Sequence, residues 1–136
     1  MLTLTDILAK VYPIIDVAAV KATIDGSIYT YSKPDNSQLK NIVILGQPIS
    51  NDEDPITLSA TVIINCYAKN FSNGMPDVAS IDAILDAIIT ALEAYTSSTS
   101  AYFEFVIQNQ TIFPDVDDTI MSYGSMRVRC TMETKQ

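Results

Sequence analysis

The residues from Leu58 to Lys69 alternate between apolar and polar side chains, and this alternation constrains the fold more than any other feature of the chain. A period of two is the period of a β-strand, so one face of the segment is predicted to be buried and the other partly exposed. The buried face would carry Leu58, Ala60, Val62, Ile64, Cys66 and Ala68. The other face would carry Ser59, Thr61, Asn65, Tyr67 and Lys69.

Similar patterns predict four further strands and two helices. The strands are predicted at 27–31, 41–47, 102–109 and 126–133. One helix begins near Thr3 or Thr5 and either ends near Tyr12 or is kinked at Pro13, and the other runs from Pro76 to the hydroxyl-rich segment 96–100. The order α-β-β-β-α-β-β, with runs of strands and no helix between most of them, favours an α+β fold. We expect a mostly antiparallel sheet with two helices packed on one face.

Length and charge limit the classes of partner. The 136 residues, 48% of them hydrophobic, predict a single domain over 1–136 with one core. Sixteen acidic against eight basic residues give a formal net charge of −8, which opposes binding to nucleic acid and to anionic membrane surfaces. No apolar run is long enough to span a bilayer, and the first residues lack the basic leader of a signal peptide.

The chain carries no recognisable catalytic motif. It contains no histidine, which removes the commonest general base and metal ligand, and it has no glycine-rich loop of the phosphate-binding types. Asp115, Asp117 and Asp118 could in principle share a calcium ion, but the glycine and distal glutamate of an EF-hand are missing. The sequence therefore predicts no enzyme activity, no cofactor and no metal.

Both cysteines lie inside predicted strands. Cys66 and Cys130 occupy apolar positions of their alternating patterns, where a free cysteine behaves as a small buried hydrophobe. We therefore predict two buried thiols. Sequence spacing leaves open whether the two sulfur atoms lie close enough for a disulfide.

Arg127 and Arg129 are two residues apart in the last predicted strand, so they must point to the same side of the sheet. They could pair across strands with acids such as Glu104. Alternatively, they could form a positive stripe that meets an acidic loop of an adjacent copy. In the second interpretation the candidate subunit interface comprises Arg127, Arg129, Asp52, Glu53, Asp54, Asp115, Asp117 and Asp118.

Five tyrosines lie at or near predicted strand positions. Tyrosine is enriched at protein interfaces because it buries a large area while keeping a polar tip. Core packing explains any one of these residues equally well. They are Tyr29, Tyr31, Tyr67, Tyr102 and Tyr123.

Five segments, taken in order, carry a resemblance to a known family: VYPIID, DGSIYTY, NIVILGQP, ATVIINCYAKN and PDVASIDAILDAIITALEAY. Their order and pattern resemble those of the small tail-terminator and tail-completion proteins of long-tailed bacteriophages, a group that includes head-tail joining and minor tail proteins. The similarity covers nearly the whole chain and is one of pattern.

The resemblance implies a structural virion protein of a phage or prophage. Such a protein assembles as a ring, commonly of six copies, on the head-proximal end of the tail tube, and its partners are itself, the tail-tube protein and head-connector proteins. It would be found in the bacterial cytoplasm during assembly and in the virion tail afterwards. Two alternatives stay open at this point: a neck or head-closure protein, and a small-ligand-binding regulatory α+β domain.

Overall fold

A computed structural model of the chain describes residues 4–46, 57–98 and 103–133, and these residues form three helices and five strands. The helices are α1 (Leu4–Ile15), α2 (Ala18–Lys21) and α3 (Val78–Ser98). The strands are β1 (Ile28–Thr30), β2 (Ile42–Gly46), β3 (Thr57–Lys69), β4 (Phe103–Pro114) and β5 (Met121–Glu133). The predicted α+β fold is confirmed, and α2 is a single unpredicted turn between the first helix and the first strand.

The five strands form one sheet in the order β1-β2-β3-β5-β4. Only β1 and β2 are parallel, and the other three pairs are antiparallel, as the mostly antiparallel prediction requires. The two longest strands, β3 and β5, pair along their whole length from Thr57 opposite Glu133 to Lys69 opposite Met121. This central pair carries β2 on one side and β4 on the other.

The hydrophobic core lies between the helices and one face of the sheet. Ile7, Val11 and Ile15 of α1 and Ile84 and Ile88 of α3 are fully buried. Each such side chain contributes roughly 1.5–3 kcal/mol to folding through loss of contact with water. The sheet supplies alternate residues to the same core cluster: Ile42, Ile44, Ala60, Val62, Ile64, Cys66, Ala68, Met126, Val128 and Cys130. We call the opposite face, which these helices leave uncovered, the open face.

Core contacts and local sequence together explain the helix boundaries. α1 continues through Pro13 to Ile15, because Pro13 is exposed near the end of the helix while Ile15 is anchored in the core. Asp77 precedes α3, where its Oδ1 accepts a hydrogen bond from the Ser80 N–H (3.2 Å), the arrangement of an N-cap. No helix in the described part of the chain is long and apolar enough to cross a membrane.

β4 and β5 are longer than predicted. β4 continues to Pro114 and β5 begins at Met121, so the two strands form a long hairpin closed by residues 115–120. A bulge between Ile107 and Asn109 shifts the register, so that Ile107 lies opposite Val128 and Asn109 opposite Arg127. An extra residue in one strand reverses the side-chain alternation beyond it. Asn109 therefore lies on the open face, whereas an unbroken alternation would place it on the same side as Ile107.

The two cysteines are buried, free and far apart. Cys66 pairs with Gly124, and Cys130 pairs with Ala60, so six residues of β5 separate the two positions. At ~3.3 Å per residue this separation is about 20 Å, well beyond the reach of a disulfide. Burial raises the pKa of the Cys130 thiol to about 12, and it also raises the pKa of the Cys66 thiol.

We expect neither thiol to react with a neutral aromatic disulfide reagent at pH 8 while the protein is folded. The thiolate is the reactive form, and burial both disfavours it and blocks access. Labelling with and without urea checks this result: two equivalents should react after unfolding. Rapid reaction of one thiol in buffer alone would contradict the buried position described above.

Candidate subunit interface on the open face

Arg127 and Arg129 lie side by side on the open face, near the end of β5. Arg129 is exposed and lies between Thr61 of β3 and Val106 of β4, and Arg127 is half-buried. No described carboxylate forms an ion pair with either guanidinium, since the ion pair found among the described side chains joins Lys21 to Asp16 (2.9 Å). Glu104, the suggested cross-strand partner, pairs in register with Thr131, and its side chain lies outside those described.

The acidic residues 115–118 lie at the opposite end of the same hairpin. The Asp115 N–H donates to the Met121 carbonyl (3.0 Å), and the Met121 N–H donates to the Asp118 carbonyl (2.9 Å). Asp115 is buried, and its Oδ1 accepts a hydrogen bond from the Asp117 N–H (3.1 Å). The carboxylates therefore also shape the loop, and Asp117 is the most exposed of the three.

The two charged groups cannot meet within one copy. Tyr123 lies beside the acidic loop, and Arg129 follows it six residues later on β5, a distance of about 20 Å at ~3.3 Å per residue. The third predicted group, Asp52, Glu53 and Asp54, lies outside the described residues. Within the described residues, no three acidic or cysteine side chains are grouped so as to hold a metal ion.

A groove of about 440 Å³ lies between the acidic loop and the segment that follows β1. Its floor is formed by Val43 and Leu45 of β2 and by Tyr67 of β3. We call it the Tyr67 groove. The remaining residues that line it are Tyr31, Ser32, Lys33, Asp35, Asn36, Asp115, Asp117 and Asp118.

An unusual turn brings Lys33 into the Tyr67 groove. Tyr31 has a left-handed backbone (φ 74°), which is rare for a bulky residue. The Ser32 N–H donates to the Thr30 carbonyl (3.0 Å), closing a tight turn around Tyr31. The chain then crosses the open face, and the Nζ atom of Lys33 lies 5.0 Å from the centre of the Tyr67 ring. This distance is within the range of a cation–π interaction.

Tyr67 belongs to a row of three aromatic rings on the open face. Its ring centre lies 5.1 Å from that of Tyr123, which in turn lies 5.6 Å from that of Phe113. Burial, assisted by the negative charge of Asp115, raises the pKa of Tyr67 to about 12. The ring therefore stays neutral near pH 7. Beside it, the buried Asn65 Oδ1 has no hydrogen-bond partner among the described residues.

A second groove, of about 300 Å³, lies between α1 and the end of β1. It is mainly apolar, and like the Tyr67 groove it is open to solvent. Neither has the enclosed apolar shape typical of a small-molecule site. The residues that line it are Thr5, Leu8, Ala9, Tyr12, Pro13, Thr30 and Tyr31.

Sequence reasoning did not identify Lys33 or the groove around it. The alternation in the sequence places Tyr67 on the less buried face of a strand, but Lys33 begins a segment rich in turn formers, 33–40, which predicts only an exposed loop. The missed signal is conformational: a left-handed Tyr31 redirects the loop over the sheet, and nothing in the residue types at 27–31 predicts it.

No protein-family model matches this chain. A search of curated proteins likewise gave no match. Among solved structures, the chain is similar to a chain in the virion of a native gene transfer agent particle, with a TM-score of 0.62 and 14% sequence identity. The similarity covers 91% of this chain and 92% of that one, so the two share a fold over nearly their whole lengths.

Proposed function

We propose that this protein is a structural virion subunit of a phage or phage-like particle, of the tail-terminator or tail-completion type. The observation that carries the proposal is the shared fold with a virion chain over 91% of the residues. The order of elements, which resembles that of tail-terminator proteins, supports the same assignment. In this role the protein would form a ring, commonly of six copies, on the head-proximal end of the tail tube, and would contact tail-tube and head-connector proteins.

The distribution of charge on the open face supports contacts between copies. A ring is built head to tail, so one surface of each subunit must complement a different surface of the next. Arg127 and Arg129 lie at one end of the β4–β5 hairpin, and Asp117 and Asp118 at the other. Because about 20 Å of strand separates the two groups, the arginines and these aspartates can meet only between copies. Such a role needs no catalytic group.

The experiment that tests the proposal is a measurement of absolute mass by light scattering on a sizing column, at several protein concentrations and at low and high salt. We expect association that weakens in salt, with rings visible by electron microscopy of the same peak. Purified tail tubes should be capped at one end by the protein. A protein that stays monomeric and leaves tubes bare would contradict the proposal, and binding to portal assemblies alone would favour the neck alternative.

A further inference from the structure

The Tyr67 groove already holds a cation from its own chain. The Lys33 ammonium lies 5.0 Å from the centre of the Tyr67 ring. The groove walls include the carboxylates of Asp115, Asp117 and Asp118. An aromatic face with carboxylates at its rim attracts positively charged groups through two separate interactions. The chemistry of the groove is therefore that of a cation receptor.

A lysine side chain can form fewer favourable interactions in this groove than an arginine side chain. An ammonium group is a compact point charge, whereas a guanidinium group is planar, stacks on an aromatic ring and donates two parallel hydrogen bonds to a carboxylate. Four aspartates line the groove against one lysine, the fourth being Asp35, so the lysine leaves the groove with an excess of negative charge. A volume of about 440 Å³ leaves room for a larger side chain.

An arginine of this chain can reach the groove only from another copy. Arg129 is exposed on the same face, but six residues of β5 separate it from Tyr123, the residue opposite Tyr67. That distance of about 20 Å exceeds the length of an arginine side chain. No described carboxylate of its own chain forms an ion pair with Arg129. Arg129 and the Tyr67 groove thus carry opposite charges that can meet between two copies but not within one copy.

We propose that Lys33 competes with a second copy for the Tyr67 groove. In the free subunit the Lys33 ammonium lies over the ring of Tyr67. When two copies associate, the guanidinium of Arg129 from the second copy displaces it. This inference rests on the proposed self-association and adds to it the receiving site and an internal competitor for that site. It leads to an unusual expectation, that removing a positive charge from a strongly acidic protein strengthens its self-association.

The test compares the association constants of the wild type, Lys33→Gln, Arg129→Gln and the double variant by sedimentation equilibrium. We expect Lys33→Gln to tighten association by about ten-fold and Arg129→Gln to weaken it, with no effect of Lys33→Gln once Arg129 is absent. Lys10→Gln, at an exposed position of α1, controls for the loss of one charge. Weaker association of Lys33→Gln, or a gain that persists without Arg129, would overturn the inference.

A second readout separates this inference from the proposed function. Methylguanidinium is titrated into the wild type and Lys33→Gln while NMR signals of Tyr67 and Val43, on the groove floor, are followed. We expect these signals to shift, with tighter binding to the variant. Absence of such shifts overturns the inference even if the protein assembles. If no variant self-associates, the proposed function is contradicted, and so is the proposal that a second copy supplies the guanidinium. This holds whether or not methylguanidinium binds in the groove.

Discussion

Reversing Arg127 and Arg129 to glutamate is expected to weaken association between copies by about 100-fold or more, because like charges placed together at an interface cost several kcal/mol. In the proposed contact the new glutamates would face Asp117 and Asp118 of the next copy. Both arginines lie on the open face, away from the core, so the free energy of unfolding should change by less than about 0.5 kcal/mol. Sedimentation and urea unfolding measure the two quantities.

Two further variants show whether the effect belongs to this contact. Lys10→Glu makes the same change in charge as Arg129→Glu at an exposed site on α1, and it should leave association nearly unchanged. Combining Arg129→Glu with Asp117→Arg exchanges the two charges and should restore part of the lost affinity. Undiminished assembly of the double arginine variant would remove the arginine–aspartate contact from the proposal.

Gly124→Val is expected to lower the free energy of unfolding by about 3 kcal/mol, the upper part of the usual range for an overpacked core. Gly124 lies in β5 on the face that the helices cover. A Cβ atom at this position would lie 2.5 Å from Cγ2 of Ile81 and 3.0 Å from Cδ1 of Leu85, both in α3. Urea unfolding measures this decrease in the free energy of unfolding. Strand propensity alone predicts the opposite sign, because valine is favoured over glycine in strands.

Ser125→Val is the matched control for Gly124→Val. Ser125 is the next residue of β5, and its side chain lies on the open face, where no helix approaches. Valine should be tolerated there, with a change in stability of less than about 0.5 kcal/mol. Equal destabilisation by the two variants would mean that β5 itself, and not the packing of α3 against it, resists valine.

The fold could be predicted largely because period-two and helical patterns are local. Apolar residues recur at every second position from Leu58 to Ala68, so β3 and its buried face follow from the residues even though Ile63 interrupts the polar face. Local patterns do not predict where α1 ends or how long β4 is, because both depend on tertiary contacts. Ile15 holds the helix in the core beyond Pro13, and the bulge before Asn109 lets β4 continue where the simple alternation ends.

The candidate site was predictable only in part. Arg127 and Arg129 share a face because of their spacing, and the structure confirms that placement. The groove depends on residues distant in sequence, since Lys33 follows β1 and Tyr67 lies near the end of β3. Only the sheet order and the turn at Tyr31 bring them together, and neither property is encoded in local composition.

The central pairing of β3 with β5 also has a consequence for biosynthesis. α3 and β4 lie between these two strands in the chain, so β3 leaves the ribosome well before its central partner exists. The pairing of β3 with β5 therefore cannot form until β5 has been synthesised, and its contacts join residues distant in sequence. β5 also carries Val128 and Cys130 to the core and Arg127 and Arg129 to the open face in alternation. The same strand therefore completes the core and supplies the two arginines, so in the proposed virion role a chain that lacks a folded β5 would also lack the groups for assembly.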